Sequence, residues 1–307
     1  MDDLETGGET DLAASQTASL TPNLNFSRRG FAKTSLGAGF ALAAQPVRAQ
    51  TVITTSADGL DAGPVQVPTP DGMMPAYRAR PKGKTGTPTV LVIHEIFGVH
   101  EHIKDLCRRL AHAGYYAIAP DLYARWGDAS KVSDIPTLVA PGGIVSKAAD
   151  DQVKADLDDA VKFAASEKAN TRRLAVTGFC WGGGVTWLAC ERFGEFKAGT
   201  AWYGRLAPAP DAAPAPDRLW PVQLAATLKA PVLGLYAGKD PLSNAIPLMK
   251  AALAASGKTG TDFMVYPDAQ HGFHADYRPS YNEADAKDGW SRMLAHFAKN
   301  GVGPKKV

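Results

Sequence analysis

Cysteine is scarce in this chain: Cys107, Cys180 and Cys190 are the three in 307 residues, at irregular spacing. That number excludes a disulfide framework, and no C-x-x-C or H-E-x-x-H is present to suggest a zinc site. Neither a structural metal nor a metal cofactor is expected. An excess of one charge is also missing. The net charge is +2, and no Lys/Arg cluster has interleaved aromatics, so no nucleic-acid partner is expected. No apolar run reaches the roughly 20 residues that span a bilayer, and no internal repeat is visible. What is present, 45% hydrophobic and 21% charged residues, is the ordinary composition of a soluble globular protein with a sizeable core.

The first 26 residues are rich in Ser, Thr, Gly and Asp and read as a disordered leader. Ser27-Arg28-Arg29-Gly30-Phe31-Ala32-Lys33 and the mild apolar run Leu36 to Ala44 have the form of a twin-arginine export signal. Val47-Arg48-Ala49 supplies small residues where a signal peptidase reads, so cleavage after Ala49 is expected. On this reading residues 1–49 are leader and signal. Residues 50–307 form one domain that meets the export machinery and ends in the periplasm, without a membrane span, as a monomer.

Within that domain, Thr51 to Thr55, Val65 to Thr69 and Pro75 to Pro81 alternate like short antiparallel strands, with a turn at Asp71-Gly72. Thr89 to His94 and Tyr115 to Ala119 are continuous runs of the kind found in strands buried on both faces, and Leu174 to Thr177, Ala198 to Tyr203, Pro231 to Gly238 and Asp262 to Tyr266 read as further strands. Helical spacing separates most of them, at Ile103 to Ala111, Ala148 to Glu167, Val185 to Cys190 and Ala245 to Ala255, with a closing helix from Ala284 to Ala298. Leu122 to Gly143 reads as a loop, and the Pro/Ala-rich residues 205–222 as an excursion. Alternating buried strands and helices give an α/β fold: a mostly parallel sheet covered on both faces.

In such a sheet the chemistry gathers at the carboxyl ends of the strands. One of these ends, Gly178-Phe179-Cys180-Trp181-Gly182, lies between strand and helix as a nucleophile elbow does, with cysteine in the serine slot. A turn this sharp strains the nucleophile's backbone, and the flanking glycines remove side chains that would collide with neighbouring chain. Two later strand ends carry Asp240 and His271, which gives the order nucleophile, acid, base of α/β-hydrolases. His271 would take the thiol proton and return it to the leaving group, while Asp240 would fix the imidazole tautomer. The backbone N–H groups of Trp181 and Ile96 are the candidate oxyanion donors.

Simpler roles exist for the same residues. Asp240 before Pro241 could cap the following helix, and His271 could be a surface histidine beside His274. Asp268 competes as the orienter but lies only three residues before the histidine. Cys107 and Cys190 fall in helices and read as core, and Tyr123 and Tyr203 either line the pocket or merely pack.

Five segments together, His94-Glu95-Ile96-Phe97-Gly98, Ala119-Pro120-Asp121-Leu122-Tyr123-Ala124-Arg125, Gly178-Phe179-Cys180-Trp181-Gly182-Gly183, Gly238-Lys239-Asp240 and His271-Gly272-Phe273, resemble the dienelactone hydrolases, or carboxymethylenebutenolidases. The resemblance implies an α/β-hydrolase domain with a Cys-His-Asp triad and no metal or organic cofactor. It implies that Glu95 hydrogen-bonds the resting thiol and shifts when substrate arrives. It also implies that Arg125 pairs with the substrate carboxylate, a task suited to a guanidinium fork. The family's second carboxylate-binding arginine lies shortly after the histidine, where Arg278 is the nearest candidate.

The expected activity is cofactor-independent opening of a small carboxylate-bearing lactone or ester, of the dienelactone-to-maleylacetate type, through a thioester. A broad periplasmic carboxylesterase, a non-catalytic binding module on the same fold and a redox-sensing thiol remain as alternatives. The last lacks a nearby resolving cysteine.

Overall fold

Two antiparallel strands lead the domain in. In the computed structural model, which describes residues 53–132, 134–208 and 218–304, β1 (Leu60–Thr69) pairs along its whole length with β2 (Gly72–Pro81). Gly72 closes the turn between them at φ +144°, a value that side chains rarely adopt. The region expected as a strand at Thr51 to Thr55 is irregular over its described residues. Thr55 there donates its N–H to Asp105 at 2.5 Å, so a buried carboxylate satisfies the backbone in place of a ladder. The export signal expected at Ser27 to Ala49 lies outside the described residues.

Six further strands build the parallel part of the sheet: β3 (Pro88–Ile93), β4 (Tyr116–Pro120), β5 (Asn170–Phe179), β6 (Phe196–Trp202), β7 (Val232–Ala237) and the edge strand β8 (Asp262–Tyr266), of which only Tyr266 is buried. The strand order is β1-β2-β4-β3-β5-β6-β7-β8, with β2 antiparallel to β4 and each later pair parallel. Five helices cover it: α1 (Glu101–His112), α2 (Asp150–Ser166), α3 (Trp181–Arg192), α4 (Ile246–Ala255) and α5 (Glu283–Lys299). Because the chain passes from β3 outward to β4 and then returns to β5, the order reverses between β3 and β5. That crevice is where ligands bind in open α/β sheets.

The segment read as one loop from Leu122 to Gly143 contains a short helix at Ile135–Val139, started by Asp134, whose side chain accepts the Thr137 N–H. This cap and Pro136 at the helix start explain a helical turn too short to leave a periodic signature. Among the described residues no helix is long and apolar enough to cross a membrane.

Candidate active site

Cys180 stands between β5 and α3 at φ +54°, ψ −115°. For a residue with a side chain this backbone costs about 1–3 kcal/mol and must be held by its surroundings. The glycines are what permit it. A Cβ on Gly182 would lie 2.5 Å from the carbonyl oxygen of His94, and one on Gly183 2.6 Å from that of Trp202. A Cβ on Gly178 would overlap the carbonyl of Gly182. Close approach of β3, β6 and α3 around one residue is therefore written into the glycine spacing.

His271, 3% exposed, lies on the loop after β8, and its Nδ1 donates to Asp240 Oδ2 at 2.6 Å. It also hydrogen-bonds the Cys180 side chain. With Nδ1 committed to Asp240, that bond falls to Nε2. Burial alone would lower the pKa of His271, but the Asp240 carboxylate and the thiol more than reverse this and push it up to about 9.

Asp240 performs both of the roles considered for it. Its Oδ1 accepts the Leu242 N–H at 3.1 Å as a helix cap, while Oδ2 orients His271. Asp268 instead meets Lys239 at the surface, 3.0 Å apart. Cys107 and Cys190 are fully buried, and burial pushes both thiols far up in pKa.

Trp181 opens α3, where the first N–H groups have no acceptor within the helix. Ile96 is buried on the loop just after β3, across the crevice. Next to it, Glu95 is buried and accepts from Arg278 Nη2 at 2.9 Å and from the Tyr277 hydroxyl, with His100 Nε2 3.5 Å away. Burial would favour the neutral acid, but the Arg278 guanidinium together with His100 and His102 outweighs it and holds Glu95 below the usual carboxylate range. Arg278 itself is fully buried and stacked near Phe97 and Tyr277. The segment Asp276 to Arg278 is thus part of the floor: Asp276 meets His102 at 3.1 Å and Arg109 at 2.7 Å.

Tyr123 and Tyr203 are both fully buried, and neither hydroxyl has a hydrogen-bond partner among the described residues. Both hydroxyls lie within electrostatic reach of Cys180. Buried hydroxyls are rarely left unpaired, so these two remain open to a polar partner near the thiol. Tyr203 follows β6 at φ +39° with its ring edge-on to His271. His94 steadies Tyr123 and Trp181 by ring contacts at 4.6 and 5.3 Å. Its Nδ1–H donates to the Glu95 carbonyl and its Nε2 accepts from Leu122, so it is a neutral imidazole, and burial depresses its pKa to about 4.

The substrate role expected for Arg125 does not fit its position. Arg125 is gripped by Asp71 at 2.6 and 2.7 Å and by the buried Asp156 at 2.7 Å, and it bolts the β1–β2 turn to α2. Substituting Arg125→Ala is expected to cost about 1–3 kcal/mol of stability in chemical denaturation, because Asp156 is left buried with only Gln152 and no counter-charge. The ratio of activities on acidic and neutral esters should stay unchanged within about twofold, a ratio fixed by other residues.

A cleft opens beside the thiol. Cys180, Trp181, Leu188, Trp220 and two arginines, Arg205 and Arg218, contribute to its walls. The last two arise from the excursion after β6, a Pro/Ala-rich stretch without periodicity.

A mostly parallel eight-stranded sheet with this strand order, an elbow at the switch point and a hydrogen-bonded Cys-His-Asp chain across its carboxyl end define an α/β-hydrolase. The chain belongs to the dienelactone hydrolase family, whose model matches residues 74–301. A Methylorubrum extorquens protein described as "Putative carboxymethylenebutenolidase" is 54% identical over 288 residues, covering 92% of this chain and 97% of that one. An Escherichia coli K12 protein of the same description is 48% identical over 274 residues, or 87% and 97% of the two chains. The crystal structure titled "Putative Dienelactone Hydrolase from Klebsiella pneumoniae" superposes with a TM-score of 0.74 at 49% identity, covering 78% of this chain and 99% of that one. The protein is a hydrolase.

Proposed function

We propose that the protein hydrolyses a small ester or lactone through a thioester on Cys180. The observation that carries this reading is His271, hydrogen-bonded at once to Asp240 and to a strained cysteine on the wall of a cleft. In the first step His271 Nε2 takes the thiol proton and the sulfur attacks the acyl carbon. A C–S bond forms while the carbonyl π electrons move to oxygen. The N–H groups of Trp181 and Ile96 receive that oxyanion. Collapse breaks the C–O bond, and the leaving alkoxide takes the proton from His271. Water, deprotonated by His271, then attacks the thioester and releases the carboxylic acid with the thiol restored.

A base that must draw a proton from a thiol benefits from a raised proton affinity, which Asp240 supplies. The Glu95–Arg278 pair beside the site belongs to the state in which the thiol is already on His271. A return of Glu95 toward the sulfur would give the resting state that the resemblance implied. The dienelactone-type substrate of the family is the favoured one, since its unsaturated acyl group is activated toward a soft nucleophile.

Hydrolysis of a dienelactone beside a neutral aryl ester tests the reading. Preference for the lactone supports it, activity on the aryl ester alone replaces it with a general carboxylesterase, and inertness toward both favours a binding module. The twin-arginine pattern supports a periplasmic setting, to be checked by fractionating cells that carry the full chain or an Arg28→Lys/Arg29→Lys variant. Equal export of both would sink it.

A further inference from the structure

Four arginines approach the crevice region, and their partners separate them. Arg125 is held by two carboxylates and Arg278 is buried against Glu95. The other two line the cleft that contains Cys180. Arg205 lies over the Trp220 ring, 5.6 Å from its centroid. Arg218 is half-buried and makes no hydrogen bond or ion pair among the described residues, although the Tyr123 hydroxyl and the Asp150 carboxylate are within its electrostatic reach. An arginine fork at a cleft wall without a counter-charge in contact is suited to receive one from a ligand.

A second observation points the same way. The unpartnered Tyr123 hydroxyl, fully buried, is within electrostatic reach of both Arg218 and Cys180, so a polar ligand group between them would satisfy it. Asp150 is the acid on this wall. Its Oδ2 is occupied by the Leu219 N–H at 2.6 Å, which fastens the arginine segment to the start of α2, and burial pushes its carboxyl toward the neutral form. Trp181 and Trp220 supply flat apolar surface on the same cleft.

We infer that Arg218, with Arg205 beside it, is the specificity determinant of the site. It takes the carboxylate of a substrate whose apolar, unsaturated or aryl body rests against Trp181 and Trp220. The inference builds on the thioester reading, but it assigns anion recognition to the excursion after β6, not to Arg125 or Arg278.

The test uses a matched pair with one leaving group, 4-nitrophenyl hemisuccinate and 4-nitrophenyl butanoate. Arg218→Ala is expected to lower kcat/KM for the hemisuccinate by roughly 10- to 100-fold, the weight of a charge-assisted hydrogen bond, and to leave the butanoate within about twofold. Arg218→Lys should restore part of the loss. A second measurement is independent of turnover: calorimetric binding of benzoate and benzamide to the Cys180→Ala protein. Benzoate should bind more tightly, and the additional Arg218→Ala change should abolish the difference. Equal losses on both esters, or benzoate binding that ignores Arg218, overturns the inference. Full activity in Cys180→Ala would instead overturn the thioester reading, and the benzoate result would still decide the role of Arg218.

Discussion

Replacing Cys180 with alanine is expected to lower hydrolysis by roughly 10⁴-fold or more while leaving the fold intact. The thiol makes a hydrogen bond to His271 and little else is asked of it structurally, since the strained turn is set by Gly178, Gly182 and Gly183. Removal of Sγ takes away the only group in the cleft proposed to form a covalent bond. It also relieves no strain, because alanine retains the Cβ that φ +54° disfavours. Circular dichroism should therefore be unchanged. The same residue should be the site of alkylation in the native protein. Cys107 and Cys190 are fully buried, with thiols pushed far up in pKa, and should react only after unfolding. Residual activity near wild type in Cys180→Ala would remove the thiol from the mechanism.

The second large effect belongs to Asp240→Asn. Asparagine can keep the Oδ1 cap to Leu242, so the helical turn after β7 should survive. What it loses is the anion that accepts from His271 Nδ1 at 2.6 Å. The imidazole then loses both its tautomer control and the charge that stabilises its cation, and kcat should fall by about 10³- to 10⁴-fold with little change in KM.

A thermodynamic signature accompanies this loss. His271 goes from an ordinary value of 6.5 to about 9 in the folded protein. Its pairing therefore contributes stability that is fully present below about pH 6.5 and declines as pH rises through about 9. Thermal unfolding of the wild type should show that decline over this interval. In Asp240→Asn it should flatten, because the main cause of the raised value is gone. A decline of equal size in both proteins would show that some other group titrates there.

The mostly parallel sheet, the elbow and the identity of three hydrogen-bonded residues were legible in the sequence because each has a local signature, whereas the strand order came only with the fold. Buried parallel strands are continuous apolar runs, and Gly178, Gly182 and Gly183 mark close backbone approach. Asp240 follows soon after such a run, and His271 lies on the loop after the last strand. Arg125 shows the limit of that reading. It stands in a recognisable segment, but its partners Asp71 and Asp156 come from a turn and a helix distant in sequence, and only the folded sheet brings them together.

Glu95 was legible as a position in a segment but not as a charge held by Arg278, Tyr277 and the nearby His100. Tyr277, His100, Arg205 and Arg218 had no periodicity or spacing to single them out. A weak signal did exist for the last two. Arginines in an otherwise Pro/Ala-rich excursion stand out by composition, and charged residues on loops beside a strand end are candidates for binding.

The thiol's role as the acyl carrier is the claim on which the rest depends, and intact-mass analysis of enzyme quenched during turnover of an aryl ester addresses it most directly. The account requires an added acyl mass that maps to the peptide bearing Cys180 and is absent after alkylation of that residue. An acyl group found on another residue, or undiminished turnover by protein already alkylated at Cys180, would contradict it.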